Sequence, residues 1–528
     1  MRRAGWGVLS AVIGCGLLWA ADWATESGSP QRDGWLKGEK SLVKEKAGGL
    51  HLLYRATLDN ASKGANALSS PLVLGNLITY RGFKEMLFVG GSADNVYSID
   101  ADLNRLLWKT HFDVRAEPPA ASGCAEGMTA GIAMPGSATA LGRGATWRRP
   151  GTTAGRSLPS FFGGGFGRNG SVFAVSSDGW LRIVRQSDGN DTAVAPVKFV
   201  PPNSQLSSLN VGGAVVYAGT RGDCGGPNAL YAVDLDAADH PVKMFPTNGS
   251  GPAGAGATAI GSDGTVYLQV ARGHGEAAGE YQDTVLALTP GDLTVKDYFT
   301  PAGAPRAGKS GAAVEGVTPA VFRWKGRDVI VAGGADGRLY LLDSKSLGGP
   351  DHHTPLARSE PVAAANGKSA GRGWWGDFAT WEDADANQRW IYAALRGPAR
   401  AGTKIPATNG AAPDGSIVAF QVEERGGRLA LAPRWISRNL LAPAAPVTTN
   451  GLVFALATGD SPRGAKPAAL YVLDGATGKE LFATGKEVRA FSHASSLAAA
   501  NGRVYFTTHD NAVYCYGFPA EQPQLTEP

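Results

Sequence analysis

The sequence of 528 residues carries 50 Lys and Arg against 46 Asp and Glu, a formal charge of +4 with no long run of either sign. Phosphate recognition needs a clustered basic stripe, so this pattern excludes nucleic acid as a partner. The 73 Gly and 32 Pro make about a fifth of the chain, above the usual ~12%, yet 43% of it is hydrophobic. That composition suits many short strands joined by turns and fits neither a disordered chain nor a coiled coil or helical solenoid.

At the N-terminus, Arg2 and Arg3 precede an apolar stretch from Gly7 to Ala20 (GVLSAVIGCGLLWA). It is short of the ~20 residues that span a bilayer comfortably and reads as a signal peptide over 1–21. A second reading takes Val12-Ile13-Gly14-Cys15 as a bacterial lipobox with Cys15 lipidated. Either route exports the protein, to the periplasm or the medium, where disulfides persist. No transmembrane segment is expected in the mature chain. Residues 22–49 form an N-terminal extension.

From Met86 onward one unit recurs: a β-branched and aromatic run, a small turn, a second run with alternating faces, then often an Asp. It reads MLFVGGSADNVYSIDADLNRLLW from Met86, SVFAVSSDGWLRIV from Ser171, and VVYAGTRGDCGGPNALYAVD ending at Asp234. It continues as TVYLQV from Thr265 with DTVLAL from Asp283, VIVAGGADGRLYLLD ending at Asp343, and WIYAAL from Trp390 with GSIVAF from Gly415. The last copies are LVFALATGDSPRGAKPAALYVLD ending at Asp474 and RVYFTTHDNAVYCY ending at Tyr516, which makes eight. The copy spacing leaves room for four strands per unit, as in a propeller blade. His51 to Leu58 (HLLYRATL) stands alone before the first copy and would supply the last outer strand, removing the free edges. The expected fold is therefore an all-β, eight-bladed propeller of four-stranded antiparallel blades over residues 50–518, followed by a tail over 519–528.

Small residues recur mid-strand at Ser98, Ala232, Ala287, Ala419 and Cys515, where blades crowd one another. The Asp at 100, 234, 343 and 474 should end a strand and cap the following turn. Asp94-Asn95, Asp178-Gly179, Asp263-Gly264, Asp336-Gly337 and Asp510-Asn511 are turn signals.

The unit ALYVLDGATGKELF from Ala469 resembles the repeat of pyrroloquinoline-quinone (PQQ) binding-like β-propellers, the quinoprotein alcohol dehydrogenase-like superfamily. DWATESGSPQRDGWLKGEKSL from Asp22 with LHLLYRATLDN from Leu50 is similar to the opening of exported members. SLGGPDHHTPL from Ser346 and GWWGDFATWEDAD from Gly373 resemble a bacterial subgroup of it. The resemblance implies an eight-bladed ring and, in active members, PQQ with Ca2+ at the central channel. Two departures weigh against a dehydrogenase. The best-known active type carries two adjacent, bridged cysteines, and no two cysteines are neighbours here. Its blades are braced by a docking Trp, which this chain has clearly only at Trp108 and more loosely at Trp435, with Phe482 in its place in the best-matching unit.

Cys124 in SGCAEGMTAG and Cys224 in RGDCGGPNAL lie in Gly-rich loops of the first and third units, and a disulfide between them is expected in an oxidising compartment. Cys515 reads as a buried free thiol. Asp351-His352-His353 is the densest set of potential ligands. Adjacent histidines on a strand face opposite ways, so His352 and His353 bind one metal only on a turn, and the blander reading is loop hydrogen bonding. Arg372, Trp374, Trp375 and Asp377 have the residue mix of a ligand- or cofactor-binding mouth: flat aromatics, a cation and a carboxylate. Glu126, Asp223, Asp377 and Trp375 are what a dehydrogenase would draw on, with no catalytic residue assignable. Asp383, Asp385 and Asn387 have the spacing of a calcium loop, but Gln388 stands at the sixth position, which makes a solvated turn the better reading. Gly163 to Gly170 lacks the GK[ST] ending of a phosphate loop and reads as a flexible insertion. The expected function is an exported, monomeric propeller that binds a small molecule or a protein at its mouth. The alternatives are a PQQ-dependent dehydrogenase of alcohols or sugars and an outer-membrane assembly scaffold.

Overall fold

In the computed structural model, residues 22–79, 82–114, 124, 126–135, 170–222, 224–247, 251–272, 281–303, 316–363, 372–461, 464–493 and 496–519 are described. Residues 1–21, read above as a signal peptide, Asp223 and residues 163–169 of the Gly-rich insertion lie outside them. Eight antiparallel sheets follow one another: 72–111, 171–198, 205–246, 258–299, 320–358, 373–436, 447–483, and 498–517 completed by 51–57. They are blades one to eight. Blade three has a short extra strand, Gln205–Leu206, and among the described residues blade two has three strands, with Ala133 bridging Phe173 on its open side. The first strands of neighbouring blades touch each other, which places them around the axis.

The ring closes as expected. His51–Thr57 pairs antiparallel with Ala512–Gly517, from His51 opposite Gly517 to Thr57 opposite Ala512. Ser98, Ala232, Ala287, Ala419 and Cys515 are all buried on third strands, where small side chains let the twisted sheets pack face to face. Burial pushes the Cys515 thiol up to about 12, so it is a small buried side chain and no nucleophile.

The recurring aspartates cap turns. Asp100 accepts from Leu103 N, Asp234 from Asp236 N, Asp343 from Lys345 N, and Asp474 from Ala476 N and Thr477 N. Trp108 and Trp435 both dock on the following blade. The Trp108 indole donates to Gln186 O and lies against Gly189; that of Trp435 donates to Gly475 O and lies against Gly478, each bond 3.0 Å long. Both glycines have φ near +71°, and a Cβ on either would sit about 2.5–2.6 Å from the indole. Phe482 packs edge-on against Tyr516 instead.

Candidate functional site: a plugged axis beneath a charged mouth

Two places on the axis collect chemistry. The lower one is built by the N-terminal extension, which enters from the base as a tongue of residues 23–36. It bonds to blade after blade. Trp23 exchanges backbone hydrogen bonds with Val73 of blade one, and Ala24 O accepts from Met134 N. Thr25 Oγ1 donates to Leu209 O. Pro30 O, Gln31 O and Asp33 O accept from Ile260, Val321 and Thr380 of blades four, five and six, and Gly34 and Leu36 pair with Thr448 of blade seven. Pro30, lacking an N–H, serves here as an acceptor only.

Arg32 braces this tongue from inside. Its buried guanidinium donates to Thr258 O, Thr25 Oγ1, Glu26 O, Ser208 O, Leu209 O and Gly256 O, which uses every N–H. Asp377 and Glu26, both buried, balance its charge. Ser27 Oγ donates to Asp377 at 2.7 Å, Gly256 N to its other oxygen at 3.3 Å, and Ser208 Oγ to Glu26. Burial first, and then Asp377, hold the Glu26 carboxyl above its ordinary value. A Cβ on Gly256 would lie 2.8 Å from Arg32 Nε, so only glycine fits there. The lower axis is thus filled by the chain's own side chains, with Arg32, Glu26 and Asp377 each hydrogen-bonded.

The upper place is the mouth, at the face where the first strands begin and where second strands turn into third. Here blade six contributes Arg372, just before its strand Gly373–Asp383, and Trp374 and Trp375 on that strand. The Arg396 guanidinium lies 3.3 Å from the centre of the Trp375 ring, a face-on cation–π contact. Beyond it, on blade seven, Asp460 Oδ2 is 2.6 Å from Nδ1 of His493, and both side chains are about one-third exposed. The hydrogen bond from His493, ahead of the charges of Arg396 and His509, holds the Asp460 carboxyl below its usual range. On the other flank, Trp374 is buried edge-on against Phe420 and borders a niche with Gln269, Arg272 and Asp283. Burial pushes the Asp283 carboxyl up to about 7, with Asp336 adding to the rise while the Ala335 N–H and Arg272 oppose it. The Cys124–Cys224 disulfide, Cα–Cα 5.7 Å, ties the loop after blade one to the mouth turn of blade three.

The residues singled out from sequence therefore separate. Arg372 and Trp375 are together at the mouth, Trp374 is in its wall, and Asp377 is below it, bonded to the tongue. Arg372 packs along Gly397, and Glu126 is exposed. His352 and His353 are elsewhere, in the turn between third and fourth strands of blade five. His352 stacks on Tyr298 at 3.9 Å, its Nδ1 3.1 Å from Tyr298 O, and His353 Nδ1 is 2.7 Å from Thr300 O. Both rings pin this turn to blade four. Among the described residues no group of three or more His, Cys, Asp or Glu is placed to hold a metal ion. Asp383 caps its own turn through Ala386 N.

Arg396, Asp460, His493, Gln269 and Asp283 are not conspicuous in the sequence. The signal that marks Arg396 and Asp460 is positional: each ends, or follows by three residues, the second strand of its unit, Gln388–Arg396 and Leu452–Ala457.

No protein-family model matches the sequence, and no curated protein matches it. Solved structures do. The quinohemoprotein alcohol dehydrogenase from Comamonas testosteroni is similar over 96% of this chain and 82% of its own, at 13% identity and TM-score 0.56. The quinohemoprotein alcohol dehydrogenase ADHIIG from Pseudomonas putida HK5 is similar over 96% and 81%, also at 13% and 0.56. A europium-containing methanol dehydrogenase is similar over 94% and 98%, at 11% and 0.54. With eight antiparallel blades closed by its N-terminal strand, the chain has the fold of the quinoprotein alcohol dehydrogenase-like β-propellers.

Proposed function

We propose that the protein is an exported binding propeller whose mouth takes a planar, anionic small molecule, PQQ being the class its fold neighbours suggest. The observation that carries this is the Arg396 guanidinium laid on Trp375 with Arg372 beside it. A guanidinium stacked on an indole is a flat, fixed cation, and a second guanidinium beside it adds to the positive charge that attracts carboxylates. The tongue closes the axis below, so the ligand sits above Asp377. In this reading residues 1–21 are the export segment, 50–518 the ring and 519–528 a tail, and the site of action is the periplasm or the medium.

The residues present fit an anionic planar group. They do not fit a Ca2+ cage among the described residues, because Asp283 and Asp460 stand apart and each has its own partner. PQQ, when bound, supplies a two-electron quinone acceptor. What the chain contributes is orientation by Arg372 and Arg396 and, in the Asp460–His493 pair, an imidazole whose Nδ1 is tied to a carboxylate so that Nε2 is left to exchange a proton. That pair favours a second reading, a dehydrogenase of alcohols or sugars.

Purified mature protein titrated with PQQ, with and without Ca2+, and with benzene-1,3,5-tricarboxylate tests both. Binding of both anions, weakened about 10–100-fold by Arg396→Gln as expected for a lost charge-assisted contact, supports the first reading. Binding of neither overturns it. Dye-linked turnover of alcohols with PQQ moves the assignment to the second.

A further inference from the structure

The turn that follows the strand Trp180–Arg185 of blade two carries chemistry that the mouth does not use. The sequence holds four Asn-x-Ser/Thr tripeptides, beginning at Asn60, Asn169, Asn190 and Asn248, the pattern that oligosaccharyltransferases read in exported chains. Of these asparagines, Asn60 and Asn190 are among the described residues, and their surroundings are opposite.

Asn60 is spent in the seam between blades one and eight. Its Nδ2 donates to Ala67 O at 3.1 Å and to Asn511 Oδ1 at 2.8 Å, and its Oδ1 accepts from Ala93 N at 3.2 Å. Both amide hydrogens are thereby used. Ser62, the third residue of that tripeptide, donates to His509 O and Asn511 Oδ1. A sugar on Nδ2 would remove one hydrogen and force the seam apart.

Asn190 stands in the open. It and Asp191 are exposed, on a turn whose shape is fixed from blade one: Trp108 lies against Gly189, and Thr110 Oγ1 donates to Gly189 O at 2.6 Å. Asp188 accepts from Asn190 N at 3.0 Å and is paired with Arg185, both side chains half-exposed, a weak pair that a binding enzyme can exchange. It is the only acidic residue found two positions before any of the four asparagines, and so gives a further group to grip. Thr192 Oγ1 has long contacts, 3.3 Å from Val194 N and 3.4 Å from Val194 O, near the outer limit for a hydroxyl. The hydroxyl that the tripeptide requires can therefore turn to a transferase.

We infer that Asn190, and not Asn60, is an acceptor of an N-linked glycan, transferred to the folded, exported chain from a lipid-linked oligosaccharyl diphosphate. Asn190 Nδ2 forms the bond to C1 of the first sugar. The bond from C1 to the diphosphate oxygen breaks, its electron pair leaving on the diphosphate, and the amide gives one proton to a base of the transferase. Nothing is oxidised or reduced. The turn lies at the base end of blade two, away from the mouth, so the glycan leaves the mouth open. The inference rests on the reading of the chain as exported and on no other part of the proposed function.

The test is mass spectrometry of tryptic peptides from the full chain, expressed in a bacterial host that carries an oligosaccharyltransferase and its lipid-linked glycan. Peptide 186–198 should gain the mass of that glycan, lose it in Asn190→Gln and Thr192→Ala, and keep it in Thr192→Ser, while the peptide containing Asn60 stays unmodified. Exported protein with peptide 186–198 unmodified overturns the inference, and so does a glycan on Asn60. The wild-type peptides decide this even if a variant folds poorly. A second chain, with residues 1–21 replaced by an unrelated export signal, tells the two failures apart: a glycan on that chain alone upholds the acceptor and refutes export by residues 1–21.

Discussion

The axis and the mouth of this propeller are lined by the same kinds of residue and treat them oppositely. Below, Arg32, Glu26 and Asp377 are fully buried, and the guanidinium meets carbonyls on all sides. Above, Arg396, Asp460 and His493 are partly exposed. A buried charge is tolerated only when fully compensated, so the tongue's charges lock the ring. At the mouth, water still reaches the charged groups, so a ligand can replace it.

The comparison breaks most sharply at Arg32. Arg32→Met should cost about 3–5 kcal/mol, because it strands five carbonyls and two carboxylates in the axis, and urea unfolding of the mature protein will read it. An equally large drop for Arg396→Gln would erase the distinction. The disulfide comes next. It closes a separation of 100 residues, for which the chain-entropy account gives roughly 4–5 kcal/mol before native strain. Cys124→Ser with Cys224→Ser should lower the melting temperature.

Asp283 sharpens the contrast through pH. Its folded-state carboxyl stands at about 7, above the ordinary 3.8. The native state therefore holds a proton the unfolded chain has lost, and stability must fall as pH rises between these values. The loss is on the order of 2–4 kcal/mol, and it should vanish in Asp283→Asn when melting is followed from pH 4 to 8. The smallest effect belongs to Arg396→Gln, which should leave stability within about 0.5 kcal/mol while removing most affinity for a planar tricarboxylate.

Much of the architecture was legible because it repeats. Each unit's alternating strands, Asp-capped turn and small mid-strand residue are local features, and His51–Thr57 could be assigned to the closing role because one strand was missing from the eighth unit. Trp435, a looser docking candidate by spacing, makes the same contact as Trp108, since what matters is the glycine turn of the next blade. The site was legible only in part. Arg372, Trp374, Trp375 and Asp377 are close in sequence, but alternation along a strand sends them to different levels and faces. Arg396, Asp460 and His493 come from three different stretches of chain.

By itself the sequence determined the eightfold repeat and its closure, because strand alternation and turn chemistry act over short range; the Cys124–Cys224 bond was expected from two cysteines in Gly-rich loops of nearby units, and the tertiary structure brings them to a Cα–Cα distance of 5.7 Å. Only the tertiary structure decided that residues 23–36 are the hub of the ring. That role rests on backbone hydrogen bonds and one guanidinium reaching carbonyls more than 170 residues away, and such bonds leave no pattern in side-chain order. The same reach decides the mouth, where blades four to eight bring single residues to one rim.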